Sequence, residues 1–230
     1  MLVYLVRHAH SLANAGEDEG LNSGLSPLGM RQVDALTRRF ADTQFTAVYS
    51  SPFRRCLETA LPIAALHLEP VRLRQEIFEF HGLTSVSGIE SGLPGVEELV
   101  GHHPGRVVAC PDCDGPIYWP ALDEPFEAMV ARAQAFAAYL KGRWRGEKDK
   151  VLVVGHGSPI ARLIEAWLTD RPGPAFQFVI DNATVHLLRF RGGVSSLLQL
   201  NDTSHLTGLI APESPFGPTT GAPEMKGAEW

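Results

Sequence analysis

The chain has 230 residues, of which 44% are hydrophobic and 20% charged, and a formal net charge of -6. That balance excludes disorder throughout, and it excludes a general nucleic-acid binder, which needs an excess of cations. At about 100–200 residues per domain, the length predicts one domain with room for an insertion and a sizeable core.

The longest apolar runs, such as residues 151–155, are far too short to cross a bilayer. Arg7 and His8 interrupt the apolar start, so no secretory signal is read there. Cys56, Cys110 and Cys113 form an odd, sparse set rather than a disulfide framework. A reducing cytoplasm is the expected setting, with no membrane partner.

Residues 2–6 (LVYLV) read as a buried strand. Arg7 and His8 end it, so they fall at the carboxyl edge of a sheet, where open α/β folds bind ligands. Residues 9–24 are polar and Gly-rich, hence a loop. Ser26-Pro27 supplies a helix cap and a first-turn proline, and Val33, Leu36 and Phe40 recur at helical spacing. This predicts a helix near 27–40. A short strand at 47–49 precedes a second cap signal, Ser51-Pro52, and a helix near 53–66 with Arg54 and Arg55 in its first turn.

A short strand falls within 68–75. From Phe80 to about Leu122 regularity dissolves, which predicts an insertion or lid. A helical face returns from Phe126 to Leu140. Residues 151–154 form a buried strand that ends in Gly155-His156-Gly157, and Ser158-Pro159 opens another helix. Residues 176–180, 184–190 and 196–200 read as three further strands. Alternating strands and helices predict a three-layer α/β/α sandwich with a mostly parallel sheet, over residues 1–207. The Pro- and Gly-rich stretch 208–230 reads as a tail, either an extended arm or disordered.

Two strand ends each deliver a histidine, His8 and His156, and Arg55 begins a helix after a third strand. In a doubly wound sheet these tips converge. Two imidazoles with the Arg7 and Arg55 guanidiniums make an anion site, because the arginine fork matches phosphate oxygens. A lone histidine after a strand is usually structural, and one first-turn arginine is usually solvated. The coincidence of several at several strand ends shifts that balance. Histidine can take a phosphoryl group as nucleophile if cations flank the phosphorus and an acid protonates the leaving alcohol. Glu76 and Glu79 follow the strand in 68–75 and are the candidate acids.

Five segments then carry a resemblance. Residues 5–14 (LVRHAHSLAN) resemble the RHG-type opening motif of the histidine phosphatase superfamily, the phosphoglycerate-mutase-like proteins. Residues 25–29 (LSPLG), 49–60 (YSSPFRRCLETA), 153–157 (VVGHG) and 200–206 (LNDTSHL) are similar to its later motifs, in the same order, over about 2–206. The resemblance implies that His8 is the phosphorylated nucleophile. It implies that Arg7, Arg55 and His156 bind the phosphoryl group, that Asn14 adds a polar contact, and that Gly157 lets the backbone approach the phosphate. A glutamate shortly before a glycine is the implied acid. Glu79 is favoured over Glu76, being nearer Gly82.

Two residues depart from the motif. Ala9 stands for the usual glycine and adds only a methyl. His10 stands for the usual Glu or Gln, and reads equally as a group at the mouth or as a solvated loop residue. His81 could reach the pocket or be an inert lid residue, and Glu124 reads as a helix-start carboxylate. His102, His103, Cys110 and Cys113 could together hold zinc, but their spacing is not a standard finger, and reduced surface thiols are the favoured reading.

The expected function is therefore a metal-independent, cofactor-free phosphomonoester hydrolase acting on a small phosphorylated metabolite. A cofactor-dependent phosphoglycerate mutase and a non-catalytic phosphate-binding protein are the alternatives. The mutase is disfavoured because residues 80–122 hold one arginine, Arg106, and no lysine.

Overall fold

The computed structural model describes residues 1–18, 20–79, 95–109, 124–169 and 178–214. Its elements in chain order are β1 (Leu2–Arg7), α1 (Pro27–Arg39), β2 (Ala47–Ser50), α2 (Arg54–Ala65), β3 (Val71–Leu73), a 3-10 turn (Gln75–Ile77), α3 (Val96–His102), β4 (Val107–Val108), α4 (Phe126–Arg143), β5 (Lys150–Gly155), α5 (Gly157–Leu168), β6 (Val185–Arg191) and β7 (Val194–Asp202). The seven strands lie in the order β4-β3-β2-β5-β1-β6-β7. The first five are parallel, and β6 and β7 join antiparallel.

The central strands are apolar on both sides because both faces of the sheet are covered. Side chains alternate strictly between the faces. Val6, Val48, Leu152 and Val154 face one cluster with Val33, Leu36, Leu57 and Ala60 of α1 and α2. Val3, Leu5, Tyr49, Val151 and Val153 face the other, with Phe136 and Leu140 of α4 and Ile160 and Leu163 of α5. The result is the expected three-layer sandwich.

The register fixes where the chemistry falls. Arg7 pairs with Gly155, and Ser50 with Val154. The next amides continue the ladder, His8 N donating to Gly155 O at 2.9 Å and Ser51 N to Val154 O at 3.0 Å. Three adjacent strands thus end level, and the residues that follow them share one edge.

α1 is set against that edge by contact rather than conformation. The Ser26 hydroxyl caps the helix by accepting from Gly29 N at 3.1 Å, and Ser26 N donates to His10 O at 3.0 Å. A Cβ at Gly29 would fall 2.0 Å from His10 O, a backbone atom. The glycine of the LSPLG motif therefore allows the first turn of α1 to approach the chain two residues beyond His8.

The short strand expected within 68–75 is Val71–Leu73, followed by the 3-10 turn. Three expectations change. Part of the expected lid, residues 95–109, belongs to the sandwich: Val107 pairs with Val71 at the sheet edge, and Leu99 and Val107 are buried beside α2. A seven-residue helix and a two-residue strand are too short to give periodicity. Residues 178–180 of the expected strand 176–180 are loop, because side chains take their carbonyls: Asn201 Nδ2 donates to Val179 O and Arg7 Nη1 to Ile180 O. Ser51 is not the cap of α2, since Phe53 holds that position without a side-chain bond. The remainder of 80–122, with His81, lies outside the described residues.

The described part of the tail is docked. Gln32 Nε2 donates to Leu209 O at 2.8 Å, Glu213 Oε1 lies 2.5 Å from His10 Nε2, and the Ser214 hydroxyl bonds Asp181.

One buried histidine, His186, and one half-buried, His205, make stability pH-dependent. Burial lowers the pKa of His186 to about 4, and burial with the Arg39 charge lowers that of His205 to about 4. Above pH 6.5 both are neutral, folded or unfolded. Between 6.5 and about 4 only the unfolded chain takes the protons, so stability falls as pH falls, by up to about 1.4 kcal/mol per pH unit for each fully buried histidine. The more accessible His205 contributes less. In urea titrations, His186→Asn should flatten the stability–pH slope in this window relative to the wild type. Parallel curves would contradict the assignment.

Candidate active site

The level strand ends bring His8, His156, Arg7 and Arg55 together. The His8 and His156 rings meet edge to face, with centroids 5.2 Å apart. His8 is buried, and its tautomer is set from both sides. Its Nδ1 lies 2.8 Å from Ala9 O, which can only accept. Arg55 Nε, which can only donate, lies 3.2 Å from its Nε2. Nδ1 therefore carries the proton and Nε2 presents a lone pair. Burial, followed by the Arg55 and Arg7 charges, holds the His8 pKa well below its usual value. The ring is neutral, with a lone pair facing cations.

Arg55 is the centre of the cluster. It is buried, donates through Nη1 to Leu21 O at 2.7 Å, lies 4.6 Å over the Phe53 ring, and places Nη2 3.3 Å from His156 Nδ1. Since guanidinium only donates, His156 Nδ1 accepts in the neutral tautomer and Nε2–H points to Ser51 Oγ, 2.9 Å away. Arg54, its neighbour, turns outward to Glu58 Oε1 at 2.7 Å.

Arg7 donates through Nη1 to Ile180 O at 2.6 Å, and its buried Nε has no partner among the described residues. Beside it α5 begins. The first-turn amides of this helix, opened by His156 and Gly157, favour an anion at its N-terminus. A Cβ at Gly157 would lie 3.9 Å from Arg7 Nε and from Ile180 O, which is ordinary contact. Packing within the protein does not demand glycine there.

Asn14 sits in the turn after β1, its Oδ1 accepting from Ser11 N at 3.1 Å and Ser11 Oγ at 2.9 Å. Because the backbone amide fixes Oδ1, the Nδ2 end is turned away as a donor.

The two candidate acids separate. Glu79 Oε2 lies 3.9 Å from His156 Nδ1, with the side chain 20% exposed. Glu76 is instead held in an ion pair with Arg74, which itself lies over the Tyr139 ring. Its carbonyl accepts from Arg132 Nη1 at 2.7 Å. Glu124, expected only as a helix-start carboxylate, forks onto Arg132 at 2.7 and 2.9 Å and so steadies the turn that carries Glu79.

Three further expectations meet the structure. His10 is neither at the mouth nor solvated; it is buried between Ser26 Oγ, at 2.8 Å, and Glu213. His102 and His103 close α3 beside the edge strand β4, four strand spacings or about 19 Å from β1. Cys110 and Cys113 lie outside the described residues. Sequence reasoning missed Ser51, whose Ser-Pro signal resembled a cap, and Asn182, whose side chain reaches His8 O at 3.0 Å. It also gave Cys56 no role. The Cys56 thiol sits 3.4 Å from His156 Nε2, but burial pushes its pKa up to about 12, so it is no thiolate nucleophile.

Residues 3–203 match the model of the histidine phosphatase superfamily (branch 1), and the chain belongs to that family. It is 29% identical over 213 residues to phosphoserine phosphatase 1 of Hydrogenobacter thermophilus, covering 88% of this chain and 92% of that one. It is 26% identical over 208 residues to the metal-independent phosphoserine phosphatase of Arabidopsis thaliana, covering 89% and 83%. The alpha-ribazole phosphatase of Shigella flexneri has the same fold, with a TM-score of 0.63 at 21% identity, over 88% of this chain and 96% of that one.

Gly157→Ala separates packing from ligand approach. The variant should keep the wild-type Tm or exceed it slightly, since helical alanine is favoured over glycine. By calorimetric titration it should bind inorganic phosphate about tenfold or more weakly, the scale of a lost charge-assisted bond. Unchanged affinity would show that no ligand approaches the backbone at 157.

Proposed function

We propose that the protein is a metal-independent phosphomonoester hydrolase that works through a phosphohistidine on His8. One observation carries this reading: a buried, neutral His8 with its Nε2 lone pair facing the Arg55 guanidinium. An anion drawn to the guanidiniums of Arg7 and Arg55 has its phosphorus brought to that lone pair.

In the first half-reaction Nε2 attacks phosphorus in line as the ester P–O bond breaks. Arg7, Arg55, His156 and the Asn14 amide bind the equatorial oxygens, and Gly157 gives the phosphate access to the backbone. Glu79, as acid, delivers a proton to the leaving alcohol oxygen. In the second, water attacks the phosphohistidine, Glu79 accepts its proton, and the N–P bond electrons return to Nε2 as inorganic phosphate leaves. The charge that a metal ion would supply in other phosphatases comes here from side chains.

The mutase alternative requires cations for a second phosphate and a carboxylate. Arg106, the arginine of residues 80–122, lies beside Leu61, Leu68 and Glu69. Its carbonyl accepts from the amide that starts β3, so it sits at the sheet edge opposite His8. The mark of the non-catalytic alternative would be loss of His8, His156 or one of the arginines Arg7 and Arg55, and the sequence keeps all four. The two relatives named as phosphoserine phosphatases make phosphoserine the first substrate to try. No described helix is long and apolar enough to cross a membrane.

The acid is the most discriminating residue to test. Glu79→Gln should slow phosphoserine turnover by about 10²–10⁴-fold, the usual worth of general acid help. It should slow p-nitrophenyl phosphate far less, because nitrophenolate leaves without a proton. Equal losses on both esters would remove Glu79 from the role.

A further inference from the structure

The segment from Ile180 to Ala183 touches nearly every group at the end of β1. Arg7 Nη1 donates to Ile180 O at 2.6 Å. Ala183 N donates to Arg7 O at 3.1 Å and His8 O at 3.3 Å. Asn182, only 6% exposed, donates through Nδ2 to His8 O at 3.0 Å and to Asn14 Oδ1 at 3.3 Å. The carbonyl of His8 leaves no choice of amide orientation, so Nδ2 is the end that faces both acceptors.

The segment is itself held from three sides. Asp181 Oδ1 accepts from Asn182 N at 2.7 Å, and its Oδ2 accepts from the Ser214 hydroxyl. Asp181 N lies 3.3 Å from Asn201 Oδ1, and Thr184 Oγ1 lies 2.8 Å from Asp181 O. Ala183 has φ 56°, a left-handed conformation that alanine rarely adopts, and it is fully buried. Such backbone persists only where the surroundings over-determine it. Here they aim one amide at the nucleophile's own carbonyl.

We infer that Asn182 is a positioning residue for the phosphoryl-transfer site, a brace that ties the main chain of His8 to the Asn14 amide through one NH2 group. It rests on the hydrolase reading above. Asn182 touches no reacting atom. Its two bonds hold the turn bearing Asn14 against the end of β1, so that Asn14 Nδ2 and His8 Nε2 keep one geometry toward the same phosphorus.

The test is a double-mutant cycle on p-nitrophenyl phosphate hydrolysis with Asn182→Ala, Asn14→Ala and the pair. Each single variant should lower kcat about 10–100-fold, the scale of a misplaced reacting group. The pair should lose at least fivefold less than the product of the two, because the brace has nothing to hold once Asn14 is gone. Asn182→Asp, nearly isosteric but with two acceptor oxygens against two acceptors, should lose at least as much kcat as Asn182→Ala among folded molecules with an intact thermal transition. Losses that multiply, or an Asp variant with wild-type kcat, would overturn the inference. If instead the wild type does not hydrolyse the ester, or His8→Ala hydrolyses it equally, the hydrolase reading fails and the brace falls with it.

Discussion

The site depends on keeping one buried imidazole uncharged. A protonated His8 would have no lone pair at Nε2 and would stand beside two guanidiniums, in a place that burial has already made hostile to charge. The Nδ1 bond to the Ala9 carbonyl does the rest. It assigns the proton to the inner nitrogen, and it fixes the plane in which the outer lone pair points. Ala9 is fully buried, and the peptide that carries its carbonyl is held on its other side, where His10 N donates to Gln32 Oε1 at 2.8 Å.

Around that ring the fold anchors cations. Arg55 is tied to a carbonyl and laid over an aromatic face, contacts that hold a guanidinium without an ion-paired carboxylate, and Glu79 is the opposing charge nearby. Arg7 is likewise anchored on a carbonyl. The carboxylates of this region behave differently. Glu76, Glu58 and Glu124 are each paired with arginines on α2, α4 or the turn after β3, and Glu79 is the one that lies beside His156, 3.9 Å from its Nδ1. An excess of positive charge over a buried neutral imidazole suits a phosphate dianion, and it suits the trigonal charge of a transferring phosphoryl group still better.

Much of this was legible in the sequence because it comes from strand ends. Unbroken apolar runs at 2–6 and 151–154, each followed one residue later by histidine, require both faces of the sheet to be covered and both histidines to share an edge. The parallel register then did what the pattern implied. The less legible parts come from groups whose partners are far away in the chain. Ser51 looked like a cap, but its hydroxyl serves a histidine 105 residues on. Asn182 precedes an ordinary strand, and its bond to His8 spans 174 residues. His10 carried a titratable label that suggested the mouth, whereas Glu213, equally remote, turned it into a pin for the C-terminal segment. Between Glu79 and Glu76 the sequence favours Glu79 only for its nearness to Gly82; the structure pairs Glu76 with Arg74 and puts Glu79 beside His156.

The central claim is that Nε2 of neutral His8, and no other atom, takes the phosphoryl group. It can be read from the phosphoenzyme itself. The wild-type protein would be mixed rapidly with a phosphomonoester, denatured in alkali, where phosphohistidine survives, and examined by phosphorus NMR and peptide mass spectrometry. The account predicts one acid-labile phosphohistidine, at His8, phosphorylated on Nε2. Phosphate on Nδ1 of His8, on His156, or on an acid-stable oxygen ester would contradict it.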